Sequence, residues 1–342
     1  MKQPPAGPKL QNRTTVTAMD PIAVSHLEAA KGLALQLASR TGRKVYMVGG
    51  QVRDRICPPV INEFSGEIDI DLVTGATPQQ IIGVLPYAKY TTAVFPRTIV
   101  SDEISIATFR GYVNGFQGGF PPPMLNDLPE QIALGFDAQG RDFTVNALYE
   151  DIETGEILDP LSGLKDAEDG VLRACASDPA VTFMGLKQTM MRAIRFACNN
   201  ELILAPEVAN ALYRCSKYYT CIKCMDTDYK GCPQHQGRTK ESLWFADWPL
   251  TIKTLLKTMG GANPGRAVRL LRKTGLLRRI APELITPVGG WSQLEFALDT
   301  TKSMSGERML ASLINACTVR YGRRSDDVAT KVLLRFCLPR SA

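Results

Sequence analysis

The chain has 342 residues, of which 44% are apolar and 22% are charged, and its formal net charge is +6. The apolar share is large enough to build sizeable cores, which argues against disorder along the whole chain. No run approaches the roughly 18 consecutive apolar residues of a transmembrane helix, so we expect no membrane partner. The charge is divided unevenly, because residues 1–180 contain 15 Lys and Arg against 22 Asp and Glu, whereas residues 181–342 contain 25 against 12. A basic second half is typical of proteins with phosphate-rich partners, although solvated helix faces would give the same count.

The first 20 residues contain Lys2, Lys9 and Arg13 but not the apolar centre of a secretory signal. They are also a poor mitochondrial presequence, and we expect a disordered leader. The lack of an export signal favours a cytoplasmic or mitochondrial protein over a secreted one. The nine cysteines are therefore expected to be thiols or metal ligands, not a disulfide framework.

Helical and strand patterns alternate in the first half of the chain. In order, they predict a helix over 21–40, a strand over 44–48, a helix start over 51–56, a strand over 67–73, a helix opening at 77–78, strands over 90–95 and 102–110, a loop over 111–129 and regular structure over 143–149. Thr77 is expected to cap its helix, with Pro78 at the first helical position. From residue 182 onward helical periodicity dominates, so a change of fold type is predicted at about 175–185, together with the change of charge.

The strongest local signal is the sequence Asp69-Ile70-Asp71. Residues two apart on a strand point to the same face, so the two carboxylates are expected to lie side by side. They would repel each other unless a cation lay between them, and Mg²⁺ prefers carboxylate and phosphate oxygens. An isolated pair of this kind would more often be two acids on an exposed strand.

A second signal precedes it, at the strand-to-helix junction Gly49-Gly50-Gln51-Val52-Arg53-Asp54. Glycines at such a junction allow backbone N–H groups to approach a phosphate, and Arg53 can add a bidentate contact. A Gly-Gly turn alone is usually only a turn. The combination with the paired aspartates is much more specific.

Together these motifs resemble those of class II tRNA nucleotidyltransferases (CCA-adding enzymes) and bacterial-type poly(A) polymerases. The resemblance continues in order along the chain, through Ala107-Thr108-Phe109-Arg110, Arg141-Asp142-Phe143-Thr144-Val145-Asn146-Ala147-Leu148, the segment 159–173, Met191-Arg192-Ala193-Ile194-Arg195-Phe196 and, faintly, 260–290. It implies an α/β nucleotidyltransferase head of the polymerase beta type over residues 21–180, followed by an all-α neck and body over 181–342.

The resemblance also implies a function, the addition of CMP or AMP from CTP or ATP to the 3′ end of tRNA. Asp69 and Asp71 would hold Mg²⁺, and Glu103 is a third catalytic candidate. The nucleotide-binding residues implied in the same way are Gly49, Gly50, Arg53, Asp54, Arg141, Asp142, Asn146, Arg192 and Arg195.

The chain departs from the family pattern at functional positions. Ser105 stands where the family usually has a third acid. Glu103 lies two residues earlier on the same face, and a local shift or bulge could bring it into the site. The nucleotide-selecting Glu-Asp-x-x-Arg of the neck is replaced by Gly185, Leu186 and Thr189. Relaxed specificity, selection by other residues, or a weakened enzyme that retains RNA binding would each explain this change.

Two further patterns lie in the basic half. Cys221-x-x-Cys224 followed by Cys232-x-x-His235 has the composition of a tetrahedral Zn²⁺ site, expected as an insertion over 215–238, although incidental thiols in a loop fit equally well. The helical segment 266–273 carries a cationic face suited to an RNA backbone, or simply to solvent. A poly(A) or oligo(A) polymerase and a non-enzymatic RNA-binding relative remain as rival functions.

Overall fold

The structure, a computed structural model, describes residues 21–57, 69–91, 97–111, 125–219, 248–281, 284, 291–300 and 305–319. The described residues form two compact units that divide between Ser177 and Asp178. The expected leader over 1–20 lies outside these ranges. Within the described residues, no helix is both long enough and apolar enough to cross a membrane.

The first unit is built on a seven-stranded mixed sheet in the order β3-β4-β5-β2-β1-β6-β7. Its strands are β1 Val45–Val48, β2 Ile70–Thr74, β3 Lys89–Thr91, β4 Arg97–Ile99, β5 Ile104–Thr108, β6 Tyr149–Asp151 and β7 Ile157–Leu158. Strands β2 and β5 pair in parallel, and the other neighbours in this sheet pair antiparallel. A further short strand, β8, covers Val171–Leu172.

The central strands are buried on both faces, which explains their short apolar runs. Val45, Met47, Ile70 and Leu72 contribute to one core. The alternate side chains, including Val48, contribute to a second core on the opposite face. Asp71 lies on this second face near the beginning of β2, where the apolar core gives way to polar side chains.

Five helices and one 3₁₀ turn accompany the sheet in the described part of this unit. They are α1 Pro21–Thr41, α2 Gly50–Ile56, α3 Pro78–Val84, α4 Glu130–Gln139 and α5 Gly163–Asp169, with a 3₁₀ turn over Thr144–Asn146. The cap predicted at Thr77 is confirmed, because its hydroxyl accepts a hydrogen bond from the backbone of Gln80 at 3.2 Å. The Gln80 side chain in turn accepts from the Thr77 backbone at 2.8 Å, which completes a capping box.

The described part of the second unit is helical, as predicted, apart from the two-residue strand β9 Ile203–Leu204. Its helices are α6 Pro179–Gly185, α7 Gln188–Asn199, α8 Pro206–Cys215, α9 Trp248–Met259, α10 Pro264–Lys273, α11 Leu276–Ile280, α12 Trp291–Thr300 and α13 Gly306–Val319. Helix α7 buries Met190, Met191 and Ile194 completely, so its apolar face forms part of the core of this unit.

Candidate functional site

The Gly-Gly turn lies between the acidic strand and an arginine. Gly49 joins β1 to α2 with a φ of +80°, a left-handed conformation that strongly favours glycine. A Cβ on Gly49 would lie 3.7 Å from Asp71 Oδ2, and one on Gly50 would lie 3.6 Å from Arg53 Nη2. The absence of side chains at the two glycines therefore leaves a narrow space bordered by a carboxylate and a guanidinium.

Asp71 is held from the neighbouring strand. It pairs with Ser105 in the parallel register of β2 and β5, and the Ser105 hydroxyl donates to Asp71 Oδ1 at 2.8 Å. Asp69 is exposed immediately before β2, on the same side of the chain by strand alternation. The two predicted metal ligands thus lie at one end of the strand, and Ser105 is a hydrogen-bond partner of Asp71.

Glu103, the candidate for the third acid, lies outside the strand that contains Ser105. It lies in the turn before β5 and not within the strand, because β5 begins at Ile104. The Ser101 hydroxyl donates to its carboxylate at 2.9 Å and lowers the pKa of Glu103. Among the described residues, no three acidic, histidine or cysteine side chains are grouped so that they could hold a metal. The register of β2 and β5 is regular from the pair Ile70 and Ile104 onward, so these paired residues contain no bulge that would shift Glu103 toward the aspartates.

Arg53 connects the glycine turn to a segment that is distant in sequence. Its Nε donates to Asp54 at 2.7 Å, and its Nη1 donates to the Asn146 side-chain oxygen at 2.7 Å. Asn146 then donates to Asp142 Oδ1 at 2.8 Å. Arg53 and Asn146 are both buried. Four of the residues that the resemblance assigns to nucleotide binding therefore form one hydrogen-bonded chain.

Arg141 is held by two buried partners. Its guanidinium donates to Asp137 Oδ2 at 2.9 Å and to the Tyr149 hydroxyl at 2.8 Å, and Tyr149 donates to the same Asp137 oxygen at 2.9 Å. Burial alone would lower the pKa of Arg141, but Tyr149 and Asp137 raise it above its usual value. Burial also raises the pKa of Tyr149, so its hydroxyl keeps its proton and Arg141 keeps its charge.

The segment 159–173 supports the loop that contains Asp142 and Asn146. Thr144 donates to Asp166 Oδ2 at 2.7 Å, and Arg173 donates to the other oxygen of this carboxylate at 3.1 Å. A Cβ on Gly163 would lie 2.2 Å from the Thr144 carbonyl oxygen, so only glycine allows α5 to approach this closely. The matches that follow the Arg141–Leu148 motif are therefore structural supports for it.

In the second unit, three positions correspond to the nucleotide-selecting Glu-Asp-x-x-Arg of the family, and they lack its acidic and arginine side chains. Gly185 ends α6, Leu186 follows it, and Thr189 is only 1% exposed in the first turn of α7. Gln188, beside them, donates to Thr251 at 2.9 Å and accepts a hydrogen bond from Tyr219 at 3.3 Å. Gln188 is therefore buried and hydrogen-bonded within the interior of this unit.

Arg192 and Arg195 flank a single aromatic ring. Their guanidinium carbons lie 5.1 Å and 4.7 Å from the centre of the Phe196 ring. Distances of this size are typical of cation–π contacts. Both guanidinium groups thus lie against the ring of Phe196 in α7.

The arginines of α10, which were expected to face RNA or solvent, form hydrogen bonds within the second unit. Arg269 and Arg272 of α10 donate to the two carboxylate oxygens of Glu295, at 2.8 Å and 3.1 Å. Arg266 donates to the Leu202 carbonyl at 2.7 Å. Since Glu295 is buried, Arg269 and Arg272 neutralise a carboxylate that would be costly to bury without a partner.

The proposed zinc ligands Cys221, Cys224, Cys232 and His235 lie outside the described residues. Cys215, at the start of the expected insertion, is buried at the end of α8, and burial raises the pKa of its thiol. Cys215 thus has the environment of a packed thiol.

Sequence reasoning missed the residues that hold the site residues in place. Ser105 was recognised only as a missing acid, and Asp137 and Tyr149 were not singled out. The spacing of Asp137 and Arg141, four residues apart at a helix end, is a signal that could have suggested their ion pair. Tyr149 offered no comparable local signal.

Comparison with known proteins agrees with this arrangement. Residues 45–173 match the family model described as the poly A polymerase head domain. The multifunctional CCA protein of Xanthomonas campestris pv. campestris (strain B100) is 29% identical over 264 residues, which cover 74% of this chain and 54% of that protein. Poly(A) polymerase I of Escherichia coli O6:H1 is 30% identical over 186 residues, covering 52% of this chain and 38% of the polymerase. The matches thus span about half or less of the length of these curated relatives.

A solved structure of the Thermotoga maritima CCA-adding enzyme, complexed with tRNA, has the same fold. The likeness has a TM-score of 0.58 at 18% identity and covers 95% of this chain and 68% of that enzyme. The predicted fold, a nucleotidyltransferase head followed by a helical region, is confirmed by this likeness and by the family match.

Proposed function

We propose that the chain is a template-independent RNA nucleotidyltransferase that transfers CMP or AMP from CTP or ATP to the 3′ end of tRNA. One observation carries the proposal, namely that Arg53 Nη1 and the Asn146 side chain, 93 positions apart, meet at 2.7 Å beside the Gly-Gly turn and Asp71. Phosphate-binding, ribose-binding and metal-binding motifs would then serve one nucleotide. The CCA-adding and poly(A)-polymerase relatives support this activity.

The metal-binding role would belong to Asp69 and Asp71. Two carboxylates at one strand end provide the hard oxygen ligands that Mg²⁺ prefers, and Asp71 is partly exposed, with its Oδ2 beside Gly49. Bound Mg²⁺ would supply charge neutralisation to the triphosphate and activate the RNA 3′ hydroxyl. The donor set therefore fits the ion.

The nucleotide would be positioned by the hydrogen-bonded chain around Arg53. Gly49 and Gly50 would admit the triphosphate, and Arg53, oriented by Asp54, would add positive charge beside it. Because phosphoryl transfer depends mainly on positioning and electrostatic stabilisation, a preformed cationic group of this kind contributes directly to the rate.

The ribose would be bound by the neighbouring loop. Arg141 and Asp142 would contact it, with Asn146 supporting the loop through its bond to Asp142. A contact to the 2′ hydroxyl would let the enzyme favour an NTP over a dNTP. Arg192 and Arg195 are proposed as nucleotide contacts on the resemblance alone.

Base selection is proposed to be weaker than in the family. Glycine and leucine offer no side-chain hydrogen bond to a base edge, and Thr189 is buried. Without these hydrogen bonds, other residues must discriminate between CTP and ATP, or the discrimination is lost. We therefore expect incorporation of more than one type of nucleotide at a given step.

A poly(A) polymerase is the second candidate. The 30% identity to poly(A) polymerase I favours it, since the shared head motifs do not separate the two activities. A weakened, RNA-binding relative is the third candidate, and the replacement of the third acid by Ser105 and of the selector motivates it.

The remaining proposals concern organisation. We assign residues 1–20 to a leader, 21–180 to the head, and 181–342 to an RNA-binding neck and body. The zinc hypothesis for 215–238 rests on Cys and His spacing alone, and metal analysis of purified protein is its test. Zinc content near zero would remove it.

The experiment that tests the function is sequencing of RNA 3′ ends after incubation with each NTP alone and with all four. A tRNA lacking its terminal CCA is compared with an unrelated RNA of equal length. Short additions restricted to the tRNA would support tRNA maturation, and long A-tracts on both RNAs would support the poly(A) alternative. No addition to either RNA would contradict both enzymatic proposals.

A further inference from the structure

We propose that Ser105 is a positioning residue that fixes Asp71 for a two-carboxylate cation site, which a nucleotide must complete. This inference rests on the proposed function, because it concerns the same metal site. It goes beyond that function by assigning a role to a residue where an acid would be expected, and by predicting how the site depends on cation and nucleotide.

The two oxygens of Asp71 have different environments. Oδ1 accepts the Ser105 hydroxyl at 2.8 Å, and Oδ2 lies beside Gly49, 3.7 Å from the place that a Cβ would occupy. Ser105 is buried, and it lies in β5 directly opposite Asp71, so the position of its hydroxyl is fixed by the sheet. The hydrogen bond thus turns Oδ2 toward the glycine turn.

A hydroxyl and a carboxylate at position 105 have opposite effects on Asp71. Neighbouring strands lie about 4.8 Å apart, so an acid at this position would repel Asp71 unless a cation lay between them. Serine donates to Asp71 without any cation. Asp71 can therefore be oriented before any cation binds. The site nevertheless carries less negative charge than one with a third carboxylate.

Glu103 does not compensate for the missing charge. Its carboxylate accepts from Ser101, and its backbone carbonyl accepts from the Ile70 N–H at 2.7 Å, which fixes the chain before β5. With two acids alone, the cation would take its other ligands from nucleotide phosphates and water, as Mg²⁺ commonly does. Cation binding is then expected to be weak alone and much tighter with a nucleotide.

The test is Mn²⁺ binding to the full chain, measured by electron paramagnetic resonance with and without a non-hydrolysable ATP analogue. Ser105→Ala removes the hydroxyl, and we expect Mn²⁺ affinity in the presence of the analogue to fall about tenfold, as when other groups that orient a metal ligand are removed. Ser105→Thr keeps the hydroxyl and is expected to retain affinity within about twofold of the wild type. Ser105→Asp adds a third carboxylate and is expected to bind Mn²⁺ at least about tenfold more tightly without nucleotide.

Thermal unfolding without metal separates these effects from misfolding. Ser105→Thr should melt like the wild type, and Ser105→Asp should melt lower without Mn²⁺ and recover when it is added. Equal Mn²⁺ affinity in the wild type and in Ser105→Ala would overturn the role of Ser105. If the wild type binds Mn²⁺ no better than Asp69→Asn with Asp71→Asn, the proposed metal site itself fails, which is a distinct result.

Discussion

The hydrogen bond between Arg53 and Asn146 can be tested without any substrate. Asn146→Ala removes the acceptor for Arg53 Nη1 and the donor for Asp142, both at short distances in a buried place. A hydrogen bond to a charged group contributes about 1.5–3 kcal/mol, and Arg53 and Asp142 each keep another partner. We therefore expect the first unit to lose about 3 kcal/mol of unfolding free energy.

A double-mutant cycle isolates the pair itself. Arg53→Met, Asn146→Ala and their combination should give a coupling energy of about 2 kcal/mol, within the range for residues that share a buried network. The control is Asn126→Ala. Among the described residues its side chain makes one long, exposed hydrogen bond, to Asp127 at 3.4 Å, so the substitution should cost less than about 0.5 kcal/mol.

The assay must report on the first unit alone. All three tryptophans, at positions 244, 248 and 291, lie in the second half, so their fluorescence would follow the wrong part of the chain. Amide hydrogen exchange of the β1 and β6 segments, analysed by mass spectrometry in increasing urea, measures the opening of the sheet beside the site. A coupling energy below about 0.5 kcal/mol would refute the connection between the glycine turn and the ribose-binding loop.

Two further predictions concern close packing and a buried polar group. Gly163→Ala places a Cβ where Thr144 has its carbonyl oxygen, and it should destabilise the first unit by at least about 2 kcal/mol in the same exchange assay. Gly135→Ala, in a helix with open space around it, should instead be neutral or stabilising by up to about 1 kcal/mol, and equal effects would contradict the predicted contact. Tyr219→Phe removes a fully buried hydroxyl with two polar partners and should cost the second unit about 1–2 kcal/mol in urea unfolding followed by tryptophan fluorescence. Tyr218→Phe, which removes the hydroxyl of a half-exposed tyrosine, should change little, and a cost as large as that of Tyr219→Phe would count against the buried network.

Local periodicity predicted part of the fold, whereas β4, α4, β7 and α5 were not predicted. The alternation of helix and strand in the first half and the helical second half follow from apolar spacing, which depends only on near neighbours. The Thr77 cap follows from local chemistry in the same way. These features are confirmed because packing and local preference agree at those positions.

Contacts between distant segments explain what the sequence could not predict. The acceptor for Arg53 lies 93 positions away, and the donor to Asp71 lies 34 positions away. Neither pairing has a local pattern, so Ser105 could be recognised only as a departure from a family. The arginines of α10 are a comparable case, because Glu295 binds two of them and its burial depends on tertiary packing.

The most direct test of the central claim is NMP transfer by the variant Asp69→Asn with Asp71→Asn. Transfer of radiolabelled AMP or CMP to a tRNA lacking CCA is measured together with RNA binding by fluorescence anisotropy. Asp102→Asn, which changes an exposed acid nearby, serves as the matched control. The proposed function predicts that the double variant loses at least about a thousandfold in transfer, as when a group central to transition-state stabilisation is removed, while it binds RNA within about twofold of the wild type. Transfer at the wild-type rate by the double variant would contradict the claim.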